Sequence, residues 1–237
     1  MRILIAQIAI VAIIGGFVSL CAQYFVVGIQ YFENFRGQQT HFYEIFGFSI
    51  NFWPAAALTG SFLVVLLIRK FGKMPKWETP ADIIYCAQNR RHDIKPKSGL
   101  LTIIASFVSL AGGASLGQYG PLVHLGGTLG VALSRWYRKN WISRDIIIGC
   151  GVAAAISAGF NAPIAGIIFA HEAVLRHFSG RSLALISISS ISASTLNRTL
   201  FETTDIFQIT QNFTVSGEMA LISLIAGAGF GVSAILF

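Results

Sequence analysis

Charge is the scarcest property of this sequence. Lys, Arg, Asp and Glu together make up 11% of 237 residues, with ten acidic side chains against seventeen basic ones, where soluble domains carry about 25%. The scarcity runs the whole length, and mean hydropathy is +0.67. This composition excludes a soluble domain with a single anchor and reads as an integral membrane protein. Cysteine is nearly absent too. Cys21, Cys86 and Cys150 stand far apart, with no CxxC and no His/Cys spacing, so neither disulfides nor a metal site is expected. No serine–histidine pair, HExxH helix or pair of aspartates is apparent, and His171-Glu172 has no following histidine at the needed spacing. Intramembrane enzymology is therefore set aside: no catalytic residues, no cofactor. The net charge of +7 does not indicate nucleic acid, because the basic residues crowd between apolar runs, as in cytoplasmic loops of membrane proteins.

What the chain has in abundance is apolar runs. Residues 3–31 carry no charge and exceed a signal peptide's apolar core of roughly 7–15 residues, so they read as a retained transmembrane helix. A polar and aromatic connection follows over 33–50, holding Arg36, then a second span over 51–68 with Trp53 near its start. The most basic stretch comes next, with Arg69, Lys70, Lys73, Lys76, Arg90, Arg91, Lys95 and Lys97. It places the amino terminus on the cytoplasmic side, and residues 80–87 within it read as a short helix capped by Thr79. Beyond residue 99 the pieces change character. Residues 99–116 cross much of a bilayer, whereas 121–133, 146–158 and 163–175 fall short of the roughly 20 residues of a simple span. Glycine and proline interrupt them, as in transporter folds with broken helices. Small residues four apart at Gly113/Gly117, Gly126/Gly130 and Gly227/Gly231 would allow close helix approach. Residues 182–200 form another span, 202–217 a loop, and an apolar run from Met219 reaches Phe237, where the chain looks truncated.

Two breaks carry the chemistry. The first is Gly117-Gln118-Tyr119-Gly120-Pro121-Leu122-Val123-His124-Leu125-Gly126-Gly127. Proline suits the first turn of a helix, and amides at a helix start, with their partial positive charge, suit an anion. Inside a membrane such a break persists only against protein or a cavity, which makes it a candidate transport site. A plain helix–helix turn is the competing reading. The second break, Gly159-Phe160-Asn161-Ala162-Pro163-Ile164-Ala165-Gly166, continues to Phe169 and His171-Glu172. With both motifs in order and at their spacing, the chain resembles the CLC chloride channels and proton/chloride exchangers, whose stretches read G-R-E-G-P-x-V-x-x-G-G and A-F-N-A-P-x-A-G-x-x-F-x-x-E.

The resemblance implies an all-α integral membrane fold of two inverted repeats with broken, tilted helices. Residues 1–215 would be the first repeat, and 216–237 the truncated first helix of the second. It implies a homodimer in a lipid bilayer, each subunit moving chloride or another small anion, with residues 164–175 and 183–196 at the interface. The second repeat would supply a further helix amino terminus and a tyrosine at the anion. The short amino terminus leans toward a bacterial inner membrane. Three departures matter. Tyr119 stands where the family has the glutamate that competes with chloride and relays protons. Ala173 stands where exchangers load protons. Lys76-Trp77-Glu78-Thr79-Pro80 falls on the family's G-S-G-I-P, retaining only the proline, with Trp77 at the serine. The implied function is anion movement uncoupled from protons, with an exchanger or a non-conducting half-length chain as alternatives. Tyr119 reads equally as a gate or as a packing aromatic. Glu172 reads first as a structural acid bonded to a helix end. His124 and His171 read as satisfied core or interface residues; Arg176, His177 and Arg181 read as a solvated loop or headgroup contact. Asn197 and Asn212 begin chance-level glycosylation patterns.

Overall fold

A computed structural model describes residues 2–38, 43–45, 48–50, 52–73, 76–89, 94–115, 117–137, 141–201 and 217–236. Among the described residues nine α-helices follow one another: α1 (Arg2–Gln38), α2 (Trp53–Gly72), α3 (Pro80–Gln88), α4 (Pro96–Ala111), α5 (Tyr119–Trp136), α6 (Arg144–Phe160), α7 (Pro163–Phe169), α8 (Gly180–Leu200) and α9 (Gly217–Leu236). A π-helical turn, Ala170–Leu175, continues α7. The all-α expectation is corrected at one place. Between α1 and α2 a small antiparallel hairpin pairs β1 (Tyr43–Ile45) with β2 (Phe48–Ile50), Tyr43 opposite Ile50. The expected connection after residue 31 also begins later, because α1 carries Glu33 and Arg36 in its last turns. The loop expected over 202–217, and with it Asn212, falls almost entirely outside the described residues. The chain forms two compact units, Met1–Thr203 and Thr204–Phe237; α9 is the described element of the second.

α6 is the centre of the first unit. Every residue from Ile146 to Ala158 is buried, and a helix apolar all round is one surrounded by others. Its small residues let neighbours come close. A Cβ placed on Gly126 of α5 would collide with the Gly151 carbonyl of α6, and one on Gly151 with the Gly126 carbonyl. A Cβ on Gly130 would lie 2.8 Å from the Ile148 Cα. The Gly126/Gly130 expectation is thus met. The Gly113/Gly117 pair serves another purpose: both residues lie outside the helices at positive φ, +103° and +66°, where only glycine turns without strain.

α1 presents one stripe to this core, Val11, Ile14, Val18, Ala22, Phe25, Val26 and Ile29 among its residues. Its other faces are apolar as well, with Leu4, Ile13, Phe17 and Tyr24 exposed, and α2 buries no residue at all. Among the described residues, α1 and α2 are the helices long and apolar enough to cross a membrane. At 1.5 Å per residue α1 runs about 55 Å, well beyond a hydrocarbon core of about 30 Å.

Hydroxyls and amides from α8 stitch the unit together. Ser189 Oγ donates to the Cys150 carbonyl (3.1 Å), Ser190 Oγ to Pro163 (2.9 Å) and Asn197 Nδ2 to Ala158 (3.0 Å), while Ser157 and Ser19 donate back to α8 carbonyls of Ser190 and Ala193. In an apolar surrounding each such bond is worth about 0.6–2 kcal/mol. Asn197 is 1% exposed, which closes it to glycosylation.

Candidate functional site

The second break is built by three adjacent backbone choices. Asn161 ends α6 in the left-handed conformation, φ 51°, which asparagine tolerates better than most residues. Ala162 links, and Pro163 opens α7 at its first turn. Arg198 Nε donates to Asn161 Oδ1 at 3.0 Å, and with the Asn197–Ala158 bond one turn of α8 holds the break in place.

The first break differs from expectation in register. α5 begins at Tyr119, with Gln118 as its cap, so Pro121 is the third helical residue and does not open the helix. Leu122 N–H already donates to the Gln118 carbonyl at 3.1 Å. The amides left without a partner inside the helix are therefore those of Tyr119 and Gly120, since proline has none. This narrows the free amides expected along Gln118–Val123, because Leu122 and Val123 lie within the helix, Leu122 closing its first turn. Leu122 and Val123 are themselves buried core.

The two breaks meet. Tyr119 is 45% exposed; its ring lies edge-on to Phe169 of α7 with centroids 5.4 Å apart, and 6.2 Å from Phe160 at the end of α6. A Cβ on Gly159 would sit 2.5 Å from Leu122 Cδ1, so the end of α6 abuts the start of α5. The Tyr119 hydroxyl makes no hydrogen bond to the described residues.

Beside this cluster runs a cleft of about 320 Å³, lined by Val65 of α2, Trp77 and Glu78, the α4 residues Thr102, Ser106 and Ser109, and Gly117 and Pro121 of the first break. The stretch before α3 and the first break are neighbours: a Cβ on Gly120 would lie 3.7 Å from Pro80 Cγ. α3 starts as expected, with Thr79 and Asp82 forming a reciprocal capping box and Pro80 at its first turn. Burial raises the Asp82 carboxyl, but hydrogen bonds from Lys76 (2.9 Å) and Thr79 outweigh it and hold the group below its ordinary value. A carboxyl held down stabilises the fold above its unfolded pKa of about 3.9 and loses that contribution only as pH falls through the folded value.

Sequence reasoning passed over several members of this region. The Arg36 guanidinium rests against Gly113, in space a side chain there would fill. Thr102, Ser106 and Ser109 stand one turn apart on one face of α4, a polar stripe that helical spacing alone would have revealed. Glu78, the carboxylate in the cleft, was overshadowed by its neighbour Trp77.

The remaining candidates divide. His171 is buried and bonded, Nδ1 to the Ile167 carbonyl (3.0 Å) and Nε2 to Ser182 Oγ (3.3 Å), as expected. His124 is 2% exposed, yet among the described residues neither ring nitrogen has a hydrogen-bond partner, nor does Thr128 Oγ1 one turn on; the expectation of a satisfied core histidine fails there. Glu172 sits on the π-helical turn, exposed, without a hydrogen bond to the described residues, so no helix-end bond is seen. The carbonyls of Ala173 and Val174 beside it accept from Gln88 Nε2. His177 pairs with Asp145 at 3.0 Å and Arg181 donates to the Trp141 carbonyl, so both side chains are bonded although the segment is exposed. Among the described residues no cluster of His, Cys, Asp and Glu could hold a metal ion.

Comparison with known proteins agrees with this architecture. The fold superposes on a slow cyanobacterial Cl−/H+ antiporter with a TM-score of 0.74 at 18% identity, covering 96% of this chain and 54% of that one. A CLC-type fluoride/proton antiporter gives 0.70 at 22% identity, over 97% and 55%. The sequence is 26% identical over 236 residues to the H(+)/Cl(−) exchange transporter ClcA of Vibrio parahaemolyticus, 95% of this chain and 49% of that protein. It is 30% identical over 144 residues to a putative chloride channel protein ClcB-like of Ralstonia nicotianae, 59% of this chain and 34% of that protein. The chain thus spans about half the length of relatives that it matches almost end to end. The family model of voltage gated chloride channels matches residues 60–237, a region that holds both helix breaks, the cleft and the aromatic cluster, and the chain belongs to that family.

Proposed function

We propose that this chain is one repeat of a membrane-embedded anion pathway, carrying chloride or a similar small anion without coupling it to protons. The observation that carries the reading is the meeting of the two breaks at Tyr119, Phe160 and Phe169, beside a cleft that reaches Gly117 and Pro121. A phenol titrates near pH 10, so at physiological pH Tyr119 neither mimics an anion nor relays protons. Ala173 offers no proton acceptor on the second motif. The relatives named as exchangers supply the competing reading. Apolar side chains exposed all along α1 and α2 support a lipid surrounding, since soluble surfaces rarely expose contiguous apolar patches of this size. The amino terminus then lies in the cytoplasm, the side of the basic stretch between α2 and α4.

The test is anion efflux from liposomes with internal pH followed in the same vesicles. Chloride leaving without proton movement is the expected outcome. Stoichiometric proton movement would overturn the roles given to Tyr119 and Ala173. An absence of efflux from the 237-residue chain, reversed by adding a second repeat, would assign the pathway to the complete pair of repeats.

The same reading includes a homodimer formed through α7, its π-helical continuation and α8. Ile164 is 71% exposed on the single chain, and Ile168, Phe178 and Ile191 continue that apolar surface. Replacing Ile168 and Ile191 together by asparagine is expected to shift the protein to monomer in mild detergent. Light scattering reporting an unchanged dimer would remove this surface from the interface.

A further inference from the structure

The π-helical turn after α7 keeps apart an acid and a base that an α-helix would join. Glu172 and Arg176 stand four apart, the spacing at which opposite charges pair along one helix face. Here the turn is wider. Arg176 N–H donates to the His171 carbonyl, five residues back, at 2.9 Å, and Arg176 itself takes the left-handed conformation, φ 56°. Both side chains are exposed, and neither makes an ion pair or hydrogen bond with the described residues. Such wide turns inside a helical run frequently mark functional sites.

Both charges line one groove of about 500 Å³ between this turn and the start of α8, together with Ile167, Ile168, Phe178 and Leu183. Ile168 is 54% exposed and Phe178 75%. The two histidines of the groove are engaged, His171 with the Ile167 carbonyl and Ser182, His177 with Asp145. What the groove offers is therefore one carboxylate, one guanidinium and four apolar side chains. It lies toward the cytoplasmic side of the reading above. Gln88 at the end of α3 bonds the carbonyls of Ala173 and Val174 in the same turn, and α3 leads into Arg90 and Arg91 of the basic stretch. Lipid headgroups lie at that level, where long cationic side chains reach them.

We propose that this groove binds one aminophospholipid of the phosphatidylethanolamine kind, its phosphate on Arg176, its ammonium on Glu172 and an acyl chain along Ile167, Ile168 and Leu183. The charge pattern selects this occupant. A guanidinium holds a phosphate through paired N–H donors. An ammonium brings N–H donors that a carboxylate accepts, and the quaternary nitrogen of choline has none. A purely anionic headgroup would satisfy Arg176 and be repelled by Glu172. The site goes beyond the anion pathway: it needs the lipid surrounding and not conduction. Ile168 and Phe178 also belong to the face assigned to the dimer, whereas Ile164 and Ile191 do not line the groove, so the lipid sits at the edge of that face.

Native mass spectrometry of the full chain from detergent reads the choice, with phosphatidylethanolamine, phosphatidylcholine and phosphatidylglycerol of identical acyl chains supplied in equal amounts. The expected result is one retained lipid per chain, phosphatidylethanolamine favoured about tenfold over each of the others, the worth of about one hydrogen bond to a charged group. Glu172→Gln should abolish that preference and raise phosphatidylglycerol binding. Arg176→Gln should weaken all three, and Arg176→Lys should restore most of the loss. Leu183→Trp, which fills the groove from an exposed position, should remove the lipid and leave the unfolding temperature near the parent's. An unchanged preference in Glu172→Gln would overturn the site. Phosphatidylglycerol as the favoured lipid of the unaltered chain would do the same, marking a plain basic patch. Lipid retained on monomer and absent from dimer in one spectrum would give the groove to a second copy and overturn it as well.

Discussion

Tyr119→Glu is expected to lower chloride affinity at neutral pH by about tenfold or more and to recover it in acid. The reasoning is electrostatic. Tyr119 is half exposed at the start of α5, whose first-turn amides of Tyr119 and Gly120 have no partner within the helix. A carboxylate there competes for the same donors as the ion. At a separation of ~8 Å and an effective dielectric constant near 20, the repulsion is on the order of 2 kcal/mol, more than the 1.4 kcal/mol that makes a factor of ten. Tyr119→Phe is the control. It removes a hydroxyl with no bond to the described residues and keeps the ring contacts to Phe160 and Phe169, so affinity and stability should both stay near the parent. Calorimetry showing Tyr119→Glu and Tyr119→Phe alike at neutral pH would place the side chain away from the ion.

Gly126→Val carries the largest structural effect. The added Cβ would meet the Gly151 carbonyl, with Ala155 Cβ at 2.7 Å and the Gly151 carbonyl carbon at 2.9 Å. These neighbours are backbone and a rigid methyl, so no flexible side chain can give way. Overpacking a core typically costs about 1–3 kcal/mol, and separating two backbones that touch lies at or beyond the upper end. Loss of about 3 kcal/mol is a large part of a stability of about 5–15 kcal/mol. The expected result is a sharp fall in unfolding temperature in detergent and loss of a monodisperse peak. Gly60→Ala gives the contrast. Gly60 lies inside α2 with nothing within 4 Å of a Cβ, so there alanine removes a helix-propensity cost of about 1 kcal/mol. Equal stability for Gly126→Val and the parent would show that α5 and α6 are not in the contact described.

Much of the fold was legible because its signals are local. The expected spans reappear as α1, α2, α4 and α8, and the shorter piece expected over 146–158 as α6, with ends moved by a few residues. The 37-residue length of α1 exceeds the expectation, since Glu33 and Arg36 do not interrupt a helix. Thr79-Pro80 with Asp82 gave away the start of α3, because a capping box is written in four residues. The start of α5 was placed two residues late. Proline suits the first helical position, but it is also tolerated elsewhere within the first turn, and Gln118 serves as the cap. The β1–β2 hairpin was missed, its pairing reading as a plain connection.

The candidate site was legible in its motifs and illegible in its neighbourhoods. Glycine, asparagine and proline fix the two breaks from within: Gly113 and Gly117 adopt positive φ, Asn161 turns the chain left-handed, and Pro163 restarts a helix. Those are short-range steric requirements, readable from residue type, and with the low charge they determined the membrane class, the broken helices and the family. Which side chains share the cleft is a different kind of fact. Glu78 lines the same cleft as Ser106, Ser109 and Gly117, and Tyr119 meets Phe160 and Phe169, across tens of residues of chain. Those meetings follow from how closely α5 and α6 approach at Gly126 and Gly151 and from the bonds by which α8 holds the second break. Helix–helix distance is set by packed surfaces rather than by local conformation, so only the tertiary structure decided that a carboxylate passed over in the sequence stands in the cleft.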